Sequence, residues 1–226
     1  MIRIIGLLAL ILPVFARAET ACKVAVDIGH HRNSPGATSA RGKPEWGFNA
    51  ALATDVAEAL RRQGVEALLM NPAGDPIELR QRPADAQAAH ADLLLSIHHD
   101  SVQNQYLPEA DRFSGYGLFV SGKNPAFERS RAAAEAVGDR LLGIGLAPSL
   151  HHAEPIPGEN RPLLDEKRGI YRYDDLVVLK YAAMPALLIE AGVIVNRHDE
   201  EILAGEDFRR RFATAVAQGV AAWCHR

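Results

Sequence analysis

Residues 91–100, ADLLLSIHHD, decide the fold, because a short apolar run ends there in three polar side chains. The run Leu93 to Ile97 carries no charge, which is typical of a strand that is buried on both faces. A strand of this kind belongs to a sheet that helices cover on either side. His98, His99 and Asp100 follow it, at the end where open parallel sheets bind their ligands.

The same alternation of strands and helices extends over the rest of the chain. Further strands are predicted at 23–28 (KVAVDI), 65–70 (VEALLM), 117–121 (GLFVS) and 186–189 (ALLI). Helices are predicted at 46–63, in part of 76–89, at 126–142 and at 208–223, and loops at 101–112 and 147–168. Because strand–helix–strand units connect parallel strands by right-handed crossovers, we predict a single α/β domain. Its sheet should be mostly parallel and twisted, with helices on both faces.

The composition of the 226 residues is that of an ordinary globular protein, with 48% hydrophobic and 23% charged residues. The length allows one domain or at most two. The formal net charge is −3, and lysine and arginine are scattered rather than gathered in a basic tract or stripe. We therefore expect no nucleic-acid partner.

The first 18 residues have the pattern of a secretory signal peptide. Arg3 precedes an almost unbroken apolar run from Ile4 to Phe15, and Ala16-Arg17-Ala18 supplies a small-residue cleavage site. The run is shorter than the ~20 residues that a membrane span needs, and the alternatives are an uncleaved anchor or a buried N-terminal helix. We predict cleavage after Ala18, a mature chain of residues 19–226 without a membrane span, and an exported, periplasmic location.

Two cysteines, Cys22 and Cys224, lie near the ends of the predicted mature chain. An exported protein folds in an oxidising compartment, where such a pair becomes a disulfide. Because the termini of a domain are often close together, we favour a bridge over the alternative of two separate buried thiols. The spacing excludes a CxxC zinc or redox motif.

Polar residues that can ligate a metal follow three of the predicted strands. His30 follows the first strand, His98 follows the run that ends at residue 97, and Glu190 follows the strand at 186–189. Parallel strands end at the same edge of a sheet, so these side chains should meet there. Two histidines and a carboxylate form a usual ligand set of catalytic zinc, and a further carboxylate can act as general base. The chain has no HExxH motif, so the residue types alone leave hydrogen-bonded, partly buried histidines as an equal alternative.

A set of motifs in a fixed order gives the chain a family resemblance. These motifs are Asp27-Ile28-Gly29-His30, Pro35-Gly36-Ala37, Gly42-Lys43-Pro44-Glu45 with Asn49, Arg82, Ala91-Asp92, Ser96-Ile97-His98, Gly115 to Val120, Arg168-Gly169, Val178-Leu179, and Pro185 to Gly192 with Asn196. With them the chain resembles the zinc-dependent N-acetylmuramoyl-L-alanine amidases of bacterial cell walls, over residues 23–223. One such fragment would be weak support, whereas the ordered set is specific.

The resemblance implies a role for each matched residue. His30, Glu45 and His98 match the ligands of one zinc ion, and Glu190 matches the catalytic glutamate. The implied reaction is hydrolysis of the amide between N-acetylmuramic acid and L-alanine, in peptidoglycan or in muropeptides. Glu190 would accept a proton from the attacking water and pass it to the leaving amine. We expect residues 19–226 to form this catalytic domain and to act as a monomer.

The chain departs from the family pattern beside the expected site. Ile28 stands in place of a proline, His31 in place of a glycine, and His99-Asp100 in place of the more common Ala-Asn. Each expected histidine ligand therefore has a histidine neighbour. Because successive strand residues point to opposite faces, only one residue of each pair should reach the metal, and the resemblance selects His30 and His98.

Other polar residues are predicted to lie outside this site. His151 and His152 lie in the long proline-rich loop, where a solvent-exposed pair is favoured over a role in binding substrate or transferring protons. Arg80 and Arg82 are interpreted as helix-surface or loop-pairing residues. Asp27 is expected to support the first histidine or its backbone turn rather than bind metal.

Two other functions compete with the amidase. A zinc peptidase that cuts within the stem peptide would not require the muramic acid sugar in its substrate. A non-catalytic peptidoglycan-binding module would not require a general base, so the presence of Glu190 argues against it.

Overall fold

The computed structural model describes residues 22–225 and shows one seven-stranded sheet with helices on both faces. The predicted signal peptide lies outside the described residues. The strands are β1 (Lys23–Ile28), β2 (Glu66–Met70), β3 (Leu93–Asp100), β4 (Gly117–Val120), β5 (Leu163–Asp165), β6 (Ile170–Arg172) and β7 (Ala186–Val193). The helices are α1 (Glu45–Arg62), α2 (Gln81–Ala88), α3 (Phe127–Gly143), α4 (Val177–Lys180), α5 (Arg197–Ala204) and α6 (Glu206–Cys224), with 3₁₀ helices at Asn104–Arg112 and His151–Ala153.

The strands follow the order β2-β1-β3-β7-β4-β6-β5 across the sheet. The pairs β1–β2, β1–β3, β3–β7 and β4–β6 are parallel, whereas β4–β7 and β5–β6 are antiparallel. The prediction of an α/β domain with a mostly parallel sheet is thereby confirmed. The predicted elements lack β5, β6, α4 and α5, because two three-residue strands and helices of four and eight residues carry too little periodic pattern to be recognised.

The core has two layers, because alternate residues of each strand point to opposite faces of the sheet. In β1, Val24 and Val26 belong to the cluster formed with α1, α3 and α6. Ala25, between them, belongs to a second cluster on the other face, which includes Ala86 of α2 and Leu179 of α4. The central strands β1, β3 and β7 are therefore covered on both sides, and their carboxyl ends form one common edge.

The two ends of the described chain are joined. Cys22, just before β1, and Cys224, the last residue of α6, form a disulfide with an S–S distance of 2.10 Å and a sequence separation of 202. This confirms the predicted bridge. Within residues 22–225, none of the helices is both long enough and apolar enough to cross a membrane.

Candidate metal centre and active site

Three side chains from distant parts of the sequence meet at the carboxyl ends of β1 and β3. His30 Nε2 lies 3.1 Å from Glu45 Oε2, and His98 Nδ1 lies 3.2 Å from Glu45 Oε1. The two imidazole rings cross edge to face with their centroids 4.9 Å apart. One donor atom from each of the three residues lies within 4.8 Å of the others, so together they could hold a metal ion.

The turn after β1 brings His30 into this position. Its φ of +65° lies in the left-handed region, which non-glycine residues adopt only when the surroundings hold them there. Arg82 provides that support from α2: its Nη2 donates to the His30 carbonyl at 2.5 Å and its Nη1 donates to the Ile28 carbonyl at 2.6 Å.

Asp27 forms an ion pair with Arg82. Arg82 Nη1 also donates to Asp27 Oδ1 at 2.6 Å, and the Ser96 hydroxyl donates to Asp27 Oδ2 at 2.6 Å. Asp27 is only 1% exposed and Arg82 only 2% exposed, so this is a buried ion pair. Asp27 therefore supports the turn, as predicted. Of the two interpretations of Arg82, the helix-surface one is wrong and the loop-pairing one agrees with its hydrogen bonds to the turn after β1.

Glu45, the first residue of α1, joins the two histidines. Its Oε2 accepts a hydrogen bond from the Ala37 backbone N–H at 3.0 Å, and its Oε1 accepts one from Asn49 Nδ2 at 3.0 Å. Burial of the carboxyl opposes its ionisation, but hydrogen bonds and charge attraction from His30 and His98 outweigh burial and lower the pKa of Glu45 well below its usual range. The group is therefore a carboxylate at neutral pH, as a metal ligand must be.

His99 points away from this cluster, toward α1. Its Nδ1 lies 2.8 Å from Asn49 Oδ1. Because the Asn49 amide NH₂ already donates to Glu45 and to the Gly29 carbonyl, its oxygen accepts, and His99 must carry its proton on Nδ1. Burial lowers the pKa of His99 to about 3, so the ring is neutral and structural.

The cluster suits a metal ion in its spacing and in its surroundings. The two histidine nitrogens approach different oxygens of the Glu45 carboxylate, at 3.1 and 3.2 Å. Each distance is near the roughly 3.3 Å between two ligands at ~2.0–2.1 Å from a tetrahedral zinc ion. Two glycines line the cluster without filling it. A Cβ on Gly36 would lie 2.2 Å from Glu45 Oε2, and a Cβ on Gly29 would lie 2.5 Å from the His98 ring. Because neither glycine has a side chain, the backbone lies close to the donor atoms without occupying the space beside them.

Glu190 lies beside this cluster on the neighbouring strand. In the parallel register of β3 and β7 it is paired with His98. Its Oε2 is buried and has no hydrogen-bond partner among the described residues. Burial, followed by the negative charges of Asp100 and Glu45, raises the pKa of Glu190 well above its usual range. A buried carboxyl group with a free oxygen and a raised pKa has the properties of a general base.

A cavity of about 210 Å³ opens next to Glu190. Phe119 and Tyr173 contribute aromatic walls, and Arg161 lines it with its guanidinium 3.7 Å from the Tyr173 ring centroid. His152 also lines this cavity. The site therefore combines a cluster that could hold a metal ion, a candidate base and space for a ligand.

His151 is buried and the side chain of His152 is only 13% exposed, so their interpretation as a solvent-exposed pair is wrong. His152 Nε2 lies 2.9 Å from Asp100 Oδ2, and His152 Nδ1 lies 2.8 Å from Glu159 Oε2. Burial disfavours the charged ring, but Asp100 and Glu159 outweigh it and raise the pKa of His152 to about 10. For His151 burial dominates and lowers the pKa.

One feature of the site was missed from the sequence, the burial of the two loop histidines. Asp100 was placed with His98 and His99 at the strand end, but no role was assigned to it. The burial of His151 and His152 left no signal, because their surroundings in the chain are those of a polar, proline-rich loop.

Comparison with known proteins places the whole catalytic region in one family. Residues 24–222 match the family described as N-acetylmuramoyl-L-alanine amidase. The N-acetylmuramoyl-L-alanine amidase AmiA of Salmonella typhimurium (strain LT2) is 30% identical over 222 residues, covering 89% of this chain and 76% of that protein. AmiA of Escherichia coli (strain K12) is 27% identical over 222 residues, which again cover 89% of this chain and 76% of that protein.

Solved structures agree with this match. The N-acetylmuramoyl-L-alanine amidase AmiC2 of Nostoc punctiforme is 26% identical, with a TM-score of 0.70 over 91% of this chain and 98% of that one. An N-acetylmuramoyl-L-alanine amidase from Clostridium difficile 630 has a TM-score of 0.75 over 91% of this chain and 97% of that one, and at 23% identity this likeness concerns the fold.

Proposed function

The chain belongs to the N-acetylmuramoyl-L-alanine amidase family, and we propose that it hydrolyses the amide between N-acetylmuramic acid and L-alanine with one zinc ion held by His30, Glu45 and His98. The substrate would be peptidoglycan or muropeptides. The observation that carries the proposal is the meeting of these three donors beside Glu190 at one edge of the sheet.

The donor set favours zinc over other common ions. Imidazole and carboxylate ligands suit this ion, whereas calcium and magnesium prefer oxygen ligands throughout. Three protein ligands leave a position for substrate or water, as catalytic zinc sites require. Zinc supplies a Lewis acid that polarises a carbonyl group and makes a water molecule a stronger acid.

Glu190 is proposed to move the proton in this reaction. Its unpartnered Oε2 is free to accept a proton from the attacking water, and its raised pKa makes the carboxylate a stronger base than an exposed glutamate. The same carboxyl group would then return the proton to the nitrogen of the leaving L-alanine. The carboxyl thus serves first as base and then as acid, and no second protonated group is needed.

We also propose that the protein is exported to the periplasm after cleavage behind Ala18 and acts there as a monomer. The signal-like N-terminus supports export, and the Cys22–Cys224 disulfide fits an oxidising compartment. The four proposed site residues come from one chain, so the site requires no second copy.

The test compares Glu190→Gln with the matched control Glu201→Gln, an exposed position on α5. Glu190→Gln keeps the size of the side chain but removes its basicity. It should therefore retain the zinc content of the wild type and lose about 10²–10⁴-fold in turnover of purified peptidoglycan. The control should keep both, and a wild-type rate in Glu190→Gln would remove this residue from the mechanism.

Mass spectrometry of the released products identifies the bond that is cut. Sugar chains without peptide, together with intact stem peptides that begin with L-alanine, are expected from the amidase. Shortened stem peptides still attached to muramic acid would instead identify the zinc peptidase. Binding without any product, in zinc-loaded protein, would identify the non-catalytic module.

A further inference from the structure

A second group of metal-binding side chains lies outside the proposed zinc site. Asp100 at the end of β3 meets His151 and His152 of the 3₁₀ helix His151–Ala153. His152 Nε2 lies 2.9 Å and His151 Nε2 lies 3.3 Å from the same oxygen, Asp100 Oδ2. One donor atom from each of the three residues lies within 4.8 Å of the others.

Both imidazole rings are held so that Nε2 faces Asp100. His151 Nδ1 lies 2.7 Å from the Ser149 hydroxyl, and His152 Nδ1 lies 2.8 Å from Glu159 Oε2. The Glu159 carboxylate accepts, so the network assigns a proton to Nδ1 of His152. Histidines that bind metals are oriented in this way, with one ring nitrogen donating to an oxygen and the other presented to the ion.

The Nε2 atom of His151 lacks a hydrogen-bond partner among residues 22–225. The residue is only 6% exposed, and its 3.3 Å approach to Asp100 is not aligned as a hydrogen bond. An unpaired buried nitrogen is destabilising, and a partner at this point would remove that cost. This atom therefore points independently to an absent ligand.

The charges around the group favour a cation as that ligand. Asp100 and Glu159 both contact His152, and Glu190 lines the same cavity as Glu159 and His152. Three carboxyl groups thus surround two imidazoles. Arg161 also lines the cavity, but its guanidinium lies over the ring of Tyr173. A divalent ion could take the place of the His152 proton as the positive charge between Asp100 and Glu159.

We propose that Asp100, His151 and His152 form a second site for a divalent transition-metal ion of the zinc type. Two imidazoles and one carboxylate are a ligand set of catalytic zinc, whereas magnesium and calcium would require oxygen ligands. Because His152 lines the 210 Å³ cavity, an oxygen atom of a ligand there could complete the coordination. Nothing in this inference requires that the first site hold zinc or that the protein be an amidase.

The alternative occupant of the same geometry is a proton. In that case His152 is an imidazolium between Asp100 and Glu159, and His151 packs against it with its ring centroid 3.9 Å away. The two cases differ in the amount of metal that the protein retains.

The test measures how many zinc ions each protein molecule retains. The purified, disulfide-bonded protein is loaded with zinc sulfate and dialysed, and the retained zinc is then counted by elemental and native mass spectrometry. The wild type should retain about two equivalents, and the double variant His151→Gln/His152→Gln about one. His198→Gln, an exposed histidine of α5, is the matched control and should retain the wild-type number. A double variant that retains as much zinc as the wild type would overturn the proposal, whether or not the first site holds zinc.

A milder variant keeps the test valid if the double variant does not fold. Ser149→Ala leaves all three donors in place but removes the group that orients His151. Competition with a zinc-binding dye should show about 10–100-fold weaker binding of one of the two ions and unchanged binding of the other. Unchanged binding of both ions would contradict the assigned orientation and with it the site. Since zinc is counted without substrate, two equivalents in a protein that cuts no muropeptide would refute the amidase and leave this site standing.

Discussion

Replacing Arg82 with methionine tests how the fold holds the proposed metal site. The guanidinium is 2% exposed and donates to Asp27, to the Ile28 carbonyl and to the His30 carbonyl. Methionine can fill the space of the aliphatic part of the side chain. It leaves the carboxylate of Asp27, which is 1% exposed, without its positive partner.

The size of the effect follows from the burial of both charges. Removing one partner of a buried ion pair costs about 3–5 kcal/mol, because the remaining charge is left without compensation. Arg82→Met should therefore lower the free energy of unfolding by about that amount. In Arg82→Met/Asp27→Asn the charge is gone while the amide oxygen can still accept from Ser96, so about 2 kcal/mol should be recovered.

Equilibrium denaturation in guanidinium chloride, followed by circular dichroism with the disulfide intact, measures these differences. The matched control is Arg80→Met, because Arg80 is exposed, donates to the Tyr181 hydroxyl and has its guanidinium over the Tyr181 ring. The control should lose less than about 1 kcal/mol. A similarly small loss in Arg82→Met, or a double variant no more stable than the single one, would refute the reasoning.

Two further predictions concern the close backbone approach at the site and the covalent link between the termini. Gly36→Ala should abolish tight zinc binding at Glu45, measured by calorimetric titration, because the added Cβ would lie 2.2 Å from Glu45 Oε2. The control Gly42→Ala has the same φ of +79° but no atom within 4 Å of the added Cβ, so it should bind zinc as the wild type does. Equal zinc binding by both variants would contradict the steric explanation. Cys22→Ala/Cys224→Ala should lower the free energy of unfolding by up to about 5 kcal/mol in non-reducing denaturation, because the disulfide closes a loop with a sequence separation of 202. A loss below about 1 kcal/mol would show that the disulfide does not stabilise the protein mainly by restricting the unfolded chain.

The sequence predicted the central strands well because these strands are buried on both faces and appear as unbroken apolar runs. β1 has the predicted bounds, Lys23–Ile28. β3 continues beyond its apolar run to Asp100, and β7 continues past Glu190 to Val193, because their backbones remain hydrogen-bonded to each other beyond the first polar residue of each strand. Hydropathy reports side-chain burial and not backbone pairing, so it could not show these extensions.

The errors arose at polar residues whose partners are distant in the chain. Arg82 is 55 residues from Asp27, and His152 is 52 residues from Asp100. A buried charge and an exposed charge look the same in a sequence, and the more frequent exposed state was favoured for His152 and kept as one of two alternatives for Arg82. Only the fold shows that each lies beside a carboxylate that offsets the cost of burial.

The alternation that builds the two-layered core also separates the functional side chains. In β3, Leu93, Leu95 and Ile97 face α1, and His99 continues this series to meet Asn49 of that helix. Residues 98 and 100 belong to the opposite series, so they share a face with Glu190, which follows Leu188 in the second core cluster. One strand therefore supplies a donor to each of two adjacent groups on one face, His98 to the first and Asp100 to the second. His99, between them, contacts α1 instead. A shift of β3 by one residue would turn His98 and Asp100 to the face of α1, and it would thereby remove a donor from both groups.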